Sequence, residues 1–194
     1  MRFLAILRDC RAASTVEFAL IAPALMMTLA GLFEYSHNIY TRTMLEGAIQ
    51  KAARDSTIEG AGGRAEDIDS NVTRAVQHVV PRASVAFSRK AYASFSDVSR
   101  PEDYTDNNGD GACNANEPFE DVNGNGTWDI DRGRSGQGTA RDAVLYEVTV
   151  TYRSYFPVAQ FIGLDPNNVT RASTVLRNQP YDGQQVVKVL ANCA

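Results

Sequence analysis

Residues 12–33 read AASTVEFALIAPALMMTLAGLF, a run of 22 residues whose only charge is Glu17. As a helix rising ~1.5 Å per residue, this run is long enough for the ~30 Å hydrocarbon core of a bilayer. Arg2, Arg8 and Arg11 precede it against a single acid, Asp9. A basic flank of that kind is retained in the cytoplasm, so residues 34–194 are expected on the other side. A cleaved secretory signal fits less well, because its apolar region is shorter and ends at a small-residue site, whereas this one runs into Glu34 and further helix. A lipoprotein signal needs small residues before its cysteine, but Leu7, Arg8 and Asp9 precede Cys10. A buried helix of a soluble protein stays as the alternative, since Glu17 and Pro23 interrupt the run.

Helical patterning continues beyond the apolar run. Ile39, Leu45, Ala48, Ile49, Ala52 and Ala53 recur at helical spacing up to about Ser56, with Arg42, Glu46, Gln50 and Arg54 on the opposite side. The result is one helix of roughly 40 residues, about 60 Å long, kinked at Pro23. Gly60, Gly62 and Gly63 end it. A second, amphipathic helix begins near Ala65, carries Ile68, Val72, Ala75, Val76 and Val79 on one face, and closes at Pro81. Strands are expected over residues 83–87, 144–156 and 169–177, the clearest having Val144, Tyr146, Val148, Val150 and Tyr152 on one face. Residues 186–190 are apolar and read as either strand or helix. The fold class is α+β: a long N-terminal membrane-spanning helix, a second short helix and a small antiparallel sheet.

The interruption at Glu17 is informative, because a carboxylate at membrane level is expensive and needs a partner. It stands within RAASTVEFALIAPAL, and this stretch resembles the N-terminus of TadE-like proteins of the tight-adherence (Flp) pilus system. The strand and turn from residue 144 to RNQPY at 177–181, with the apolar FPVAQFIGL between, resembles their C-terminal half. The resemblance implies a pilin-like subunit whose basic leader, residues 1–12, is removed by a prepilin peptidase. The cut would follow Ala12, where the family has glycine, making Ala13 the new N-terminus and Glu17 the fifth mature residue. Glu17 would then pair with the terminal ammonium of a neighbouring subunit, offsetting two desolvation costs. The implied organisation is leader 1–12, transmembrane part 13–33, and an extracytoplasmic domain 34–194 in the periplasm or an extracellular pilus. Implied partners are the inner membrane, the peptidase and other pilus-assembly subunits.

With 44% hydrophobic and 22% charged residues, the composition is globular, and the formal charge is −4. That charge is unevenly placed. Nine acids and no bases lie between Glu102 and Asp131, while the rest holds 14 acids against all 19 bases. Inside the acidic stretch, DNNGDGACNANE at 106–117 fits the twelve-position calcium loop D-x-N-x-D-G-x5-E throughout. Asp106, Asn108 and Asp110 would supply side-chain oxygens, Gly111 the sharp turn, Ala112 its carbonyl, Asn114 a direct or water-mediated ligand, and Glu117 a bidentate one. A second run repeats the start, with Asp121, Asn123, Asn125, the Thr127 carbonyl and Asp129. Arg132 replaces its twelfth-position glutamate, so Asp131, or Glu120 from beside the first loop, is expected to complete the shell. Pro118, Phe119 and Glu120 alone separate the loops, too few for EF-hand helices. The pair resembles the helix-less loops of dockerin and thrombospondin repeats, with Ca2+ as the expected ion at 106–132. An acidic turn that binds nothing is the plain alternative. With an ion bound, Phe119, Trp128 and Ile130 are expected to fold inward.

Cys113 and Cys193 either form a disulfide in an oxidising periplasm or remain two thiols. His37 and His78 open no metal spacing, and neither G-x-S-x-G nor H-E-x-x-H is present. GRSGQG at 133–138 follows no strand directly and reads as a flexible loop, not a phosphate cradle. No enzyme, nucleic-acid or small-molecule-substrate role is expected. The function read here is a minor pilin-like subunit with a calcium-stabilised exposed domain. The alternative is a membrane-anchored, calcium-dependent adhesion or binding module that is not polymerised.

Overall fold

The computed structural model describes residues 13–56, 65–156, 160, 163, 165–179 and 189–194. The leader with Ala12, the glycines at 60–63, six of the nine residues of the apolar stretch 156–164 and residues 186–188 lie outside the described residues. The chain divides into two compact units, Met1–Tyr40 with Arg153–Asn168, and Thr41–Tyr152 with Val169–Ala194.

Helix α1 (Ala13–Ser56) begins in the first unit and ends in the second. It continues through Pro23, which has no N–H to give the preceding turn. An 18-residue window within it has a mean hydropathy of 1.9, and none of that window is buried. Phe18, Leu20, Ile21, Met26 and Phe33 are all more than half exposed, an arrangement unfavourable in water and favourable in lipid. This helix is long and apolar enough to cross a membrane. Lower down the first unit, Glu34 ties the chain together. Its Oε2 accepts the N–H groups of Tyr155 and Phe156 at 3.1 and 3.3 Å, and its Oε1 accepts Asn168 Nδ2 at 2.7 Å. His37 meets the Tyr155 ring edge-on, 4.8 Å between centroids.

In the second unit the same helix changes character. Thr41, Leu45, Ile49, Ala52 and Ser56 are buried at spacings of three and four, a single stripe down one face. Helix α2 (Ala65–Val79) adds Ile68, Val72 and Val76, with Glu66 and Asp67 in its first turn where the helix dipole favours acids. Both stripes join the core formed by β1 (Ser84–Tyr92), β4 (Ala143–Arg153) and β5 (Asn167–Arg177). The four-stranded sheet runs β3-β1-β4-β5, where β3 (Arg134–Ser135) is short. A two-residue strand thus forms in GRSGQG, which the sequence marks as a loop.

Strand β4 buries Val144, Tyr146, Val148, Val150 and Tyr152, the face its alternation predicts. Each buried aliphatic is worth roughly 1.5–3 kcal/mol. Strand β1 is longer than expected, reaching Tyr92 in a nine-residue antiparallel register from Ser84↔Thr151 to Tyr92↔Ala143. Its polar extension is held by tertiary partners. Arg89 bonds both oxygens of Asp69 on α2 at 2.9 and 2.5 Å and lies over the Tyr146 ring, whose hydroxyl donates to Asp69 at 2.7 Å. A second sheet pairs β2 (Pro118–Asp121) with β6 (Val189–Asn192) in antiparallel register, which makes 189–192 strand.

Candidate metal centre

The acidic stretch folds into two loops on either side of β2. Glycine makes the sharp turns at equivalent places. Gly109 and Gly111 in the first loop, and Gly124 and Gly126 in the second, all have φ between 76° and 79°, a left-handed conformation that costs glycine little.

In the first loop Asp106 accepts Gly109 N–H at 2.6 Å through Oδ1 and Gly111 N–H at 2.9 Å through Oδ2. Asn108 and Asp110 each accept the N–H two residues on, at 2.8 Å. Asn108 Nδ2 donates to Asp110 at 3.1 Å and to Asn114 at 3.0 Å, and Asn114 Nδ2 donates to Asp110 at 2.7 Å. Side chains at loop positions 3, 5 and 9 therefore meet. These donors hold the Asp110 carboxyl below the usual carboxylate range, the Asn114 amide contributing most and the Ala112 N–H next. Glu117, 2% exposed, closes the loop: Oε1 accepts Asn107 and Asn108 N–H at 2.7 and 3.2 Å, and Oε2 accepts Asn114 N–H at 3.4 Å.

The second loop repeats this pattern. Asp121 accepts Gly124 and Asn125 N–H at 2.6 and 3.2 Å through Oδ1 and Gly126 N–H at 2.8 Å through Oδ2. Asn123 and Asn125 accept the N–H two residues on, at 3.0 and 2.8 Å. Their amides both donate to Asp129 Oδ2, at 2.7 and 2.6 Å, so positions 3, 5 and 9 meet again.

Asp131 is placed elsewhere. Its carboxylate bonds Lys90 Nζ at 2.5 Å, Tyr92 Oη at 2.9 Å and Gly133 N–H at 3.1 Å. Burial pushes the Tyr92 hydroxyl up to about 12, helped by that hydrogen bond to Asp131. The residue at the second loop's closing place is Glu102, which the sequence reading did not include. Its Oε1 accepts Val122 and Asn123 N–H at 2.8 and 3.4 Å, and its Oε2 accepts Asp129 N–H at 3.1 Å. The acidity of 102–131 was the sole sequence signal that could have pointed to it.

Phe119 is buried at 1% exposure and Trp128 is half-buried, its Nε1 donating to the Glu102 carbonyl at 2.9 Å and its ring edge-on to Tyr104. Ile130 is not folded inward and is 76% exposed. Cys113, at position 8 of the first loop, is disulfide-bonded to Cys193 beside β6. Among the described residues no three His, Cys, Asp or Glu side chains stand close enough to hold an ion by themselves. The side chains gathered here are carboxylates and amides, whose oxygens are hard donors that suit calcium better than zinc or copper. Ala13 begins α1 and Glu17, which is exposed, follows one turn on, apart from the loops in sequence and in a different unit.

Residues 12–54 match the family model described as TadE-like protein, which covers nearly all of α1 and none of the sheet or loops. No curated protein matches the chain, and no solved structure does.

Proposed function

We propose that this chain is a minor, pilin-like TadE subunit of a tight-adherence pilus system, anchored in the inner membrane with its second unit outside the cytoplasm. The observation that carries this reading is the coincidence of the TadE-like match at 12–54 with a helix whose apolar side chains are exposed up to Phe33. Such a surface needs either lipid or the same helix of a neighbouring subunit, and a pilin-like helix uses both in turn. In this reading a prepilin peptidase removes residues 1–12, and Glu17 pairs with the Ala13 ammonium of the next subunit. The role is structural, through assembly rather than catalysis.

Calcium belongs to the same proposal. The first loop would hold the ion through Asp106, Asn108, Asp110, the Ala112 carbonyl, Asn114 and Glu117, and the second would use Asp121, Asn123, Asn125, the Thr127 carbonyl and Asp129. Support comes from the repeated turn geometry and the meeting of positions 3, 5 and 9 in both loops. Bound calcium would neutralise crowded acids and rigidify the exposed unit.

The test is to express the full chain with and without a tight-adherence prepilin peptidase and to weigh it after membrane extraction. Loss of residues 1–12 only with the peptidase supports the subunit reading. An intact leader beside an active peptidase rejects it and favours the second reading, a membrane-anchored calcium-dependent binding module, for which the exposed acidic loops speak.

A further inference from the structure

Three carboxylates of the loop region are almost fully buried: Glu102 at 1%, Glu117 at 2% and Asp121 at 4% exposure. Among the described residues no Lys, Arg or His side chain comes within ion-pair distance of any of them. Elsewhere this chain provides a cation for a buried acid. Asp142, fully buried, has Arg134 at 3.0 Å, and even half-buried Asp69 has Arg89 at 2.5 Å. Burying a carboxylate with no opposite charge is costly, and N–H dipoles offset only part of the cost. A cation that is not a side chain would supply the missing charge.

Glu117 is the first loop's own twelfth residue. Glu102 stands in the same relation to the second loop, contacting N–H groups of loop positions 2, 3 and 9, as Glu117 does in the first. Its delivery is tertiary. Residues 103–105 run antiparallel to β2, with Thr105 N–H to Pro118 O at 2.9 Å and Glu120 N–H to Asp103 O at 2.8 Å, and Glu102 N–H bonds Asp129 O at 2.9 Å. Arg132, the residue standing where a closing glutamate would be, clamps that incoming segment. It bonds the Pro101 carbonyl and reaches Asp103 at 2.9 Å.

We infer that Glu102 is the closing acidic ligand of the second loop, donated from the preceding segment and positioned by Arg132, so that the chain binds two calcium-class divalent cations. This rests on the calcium reading above. A carboxylate has roughly four acceptor sites and Glu102 uses three on N–H groups, as Glu117 does, which leaves it the same capacity toward an ion.

The test uses the full chain in detergent micelles. Calcium is titrated by calorimetry, and terbium, a luminescent substitute for calcium, is excited through Trp128, the only tryptophan, which lies in the second loop. The wild type is expected to bind two ions. Glu102→Gln should bind one and lose the sensitised terbium emission, whereas Glu117→Gln should bind one and keep it. Two ions with undiminished emission in Glu102→Gln would overturn the assignment while leaving calcium binding intact. A wild type that binds none would overturn the calcium reading and this inference together. If only one ion binds, its loss in Glu102→Gln but not in Glu117→Gln supports the assignment, and the reverse overturns it. Glu102→Asp guards against misfolding: a weakened second ion beside an unchanged first supports the role, and loss of both ions in both Glu102 variants overturns it.

Discussion

The Cα atoms of Cys113 and Cys193 stand 5.5 Å apart across 80 residues of sequence, joined by a disulfide that fastens the first acidic loop to the end of β6. The Cys193 N–H also bonds the Glu117 carbonyl at 2.8 Å, so covalent and hydrogen bonds tie the same two segments. Chain-entropy arguments give such a closure about 4.5 kcal/mol. Cys193→Ser should therefore lower the unfolding free energy of the full chain, read from denaturant melts, by about 2–4 kcal/mol with or without reductant, while the wild type falls to the same level only when reduced. A difference below ~1 kcal/mol would show that the backbone pairing of β2 and β6 suffices.

Chelation should act through Asp106. An ion at 100 times its Kd adds about 2.7 kcal/mol per site, so calcium should raise the thermal midpoint of the wild type and a chelator should reverse the rise. Asp106→Ala removes the residue that organises Gly109 and Gly111, and its calcium-induced shift should shrink. Equal shifts in the two proteins would place calcium elsewhere.

The Tyr146–Asp69–Arg89 group predicts an alkaline limit. Burial raises the Tyr146 hydroxyl well above its ordinary range, the Asp69 carboxylate adds to this, and Arg89 opposes it. A raised pKa in the fold means the stabilisation is complete below the unfolded value of about 10 and is lost as pH climbs above it. Tyr146→Phe should cost about 1–2 kcal/mol at pH 8, because Asp69 loses a donor, yet lose stability less steeply above pH 10. Urea melts from pH 7 to 11 decide it. Parallel curves would mean that the fold does not raise the Tyr146 hydroxyl above its unfolded value.

Glu34 predicts a local effect in the first unit. Glu34→Ala frees the N–H groups of Tyr155 and Phe156 and the Asn168 amide together. Hydrogen exchange at residues 155 and 156 should accelerate by about tenfold or more, as for a lost bond of ~1.4 kcal/mol or more, while β4 stays protected. Unchanged exchange would show that ring contacts such as that of His37 with Tyr155 carry the turn instead.

The loops show where local reading ends. All six expected donors of the first loop fall within twelve consecutive residues, and the turn glycines, hydrogen bonds and closing Glu117 follow that order. For the second loop the same logic offered Asp131 or Glu120. Tertiary packing instead turns Asp131 to Lys90 and Tyr92 and brings in Glu102 from upstream. Strand β1 shows a similar boundary: Ser88, Arg89 and Lys90 break its apolar alternation, and their pairing depends on β4 and α2.

Period and composition prescribe the local elements. The apolar run of α1, the amphipathic stripe of α2, the buried face of β4 and the first loop each follow from residues close together in the chain, where helix rise, strand alternation and turn chemistry act directly. Which distant segments meet is a matter of tertiary packing. The Cys113–Cys193 bridge, the pairing of β2 with β6, and the arrival of Glu102 at the second loop depend on strand hydrogen bonds. Those bonds are made by backbone groups that every residue carries, and so they leave little trace in sequence.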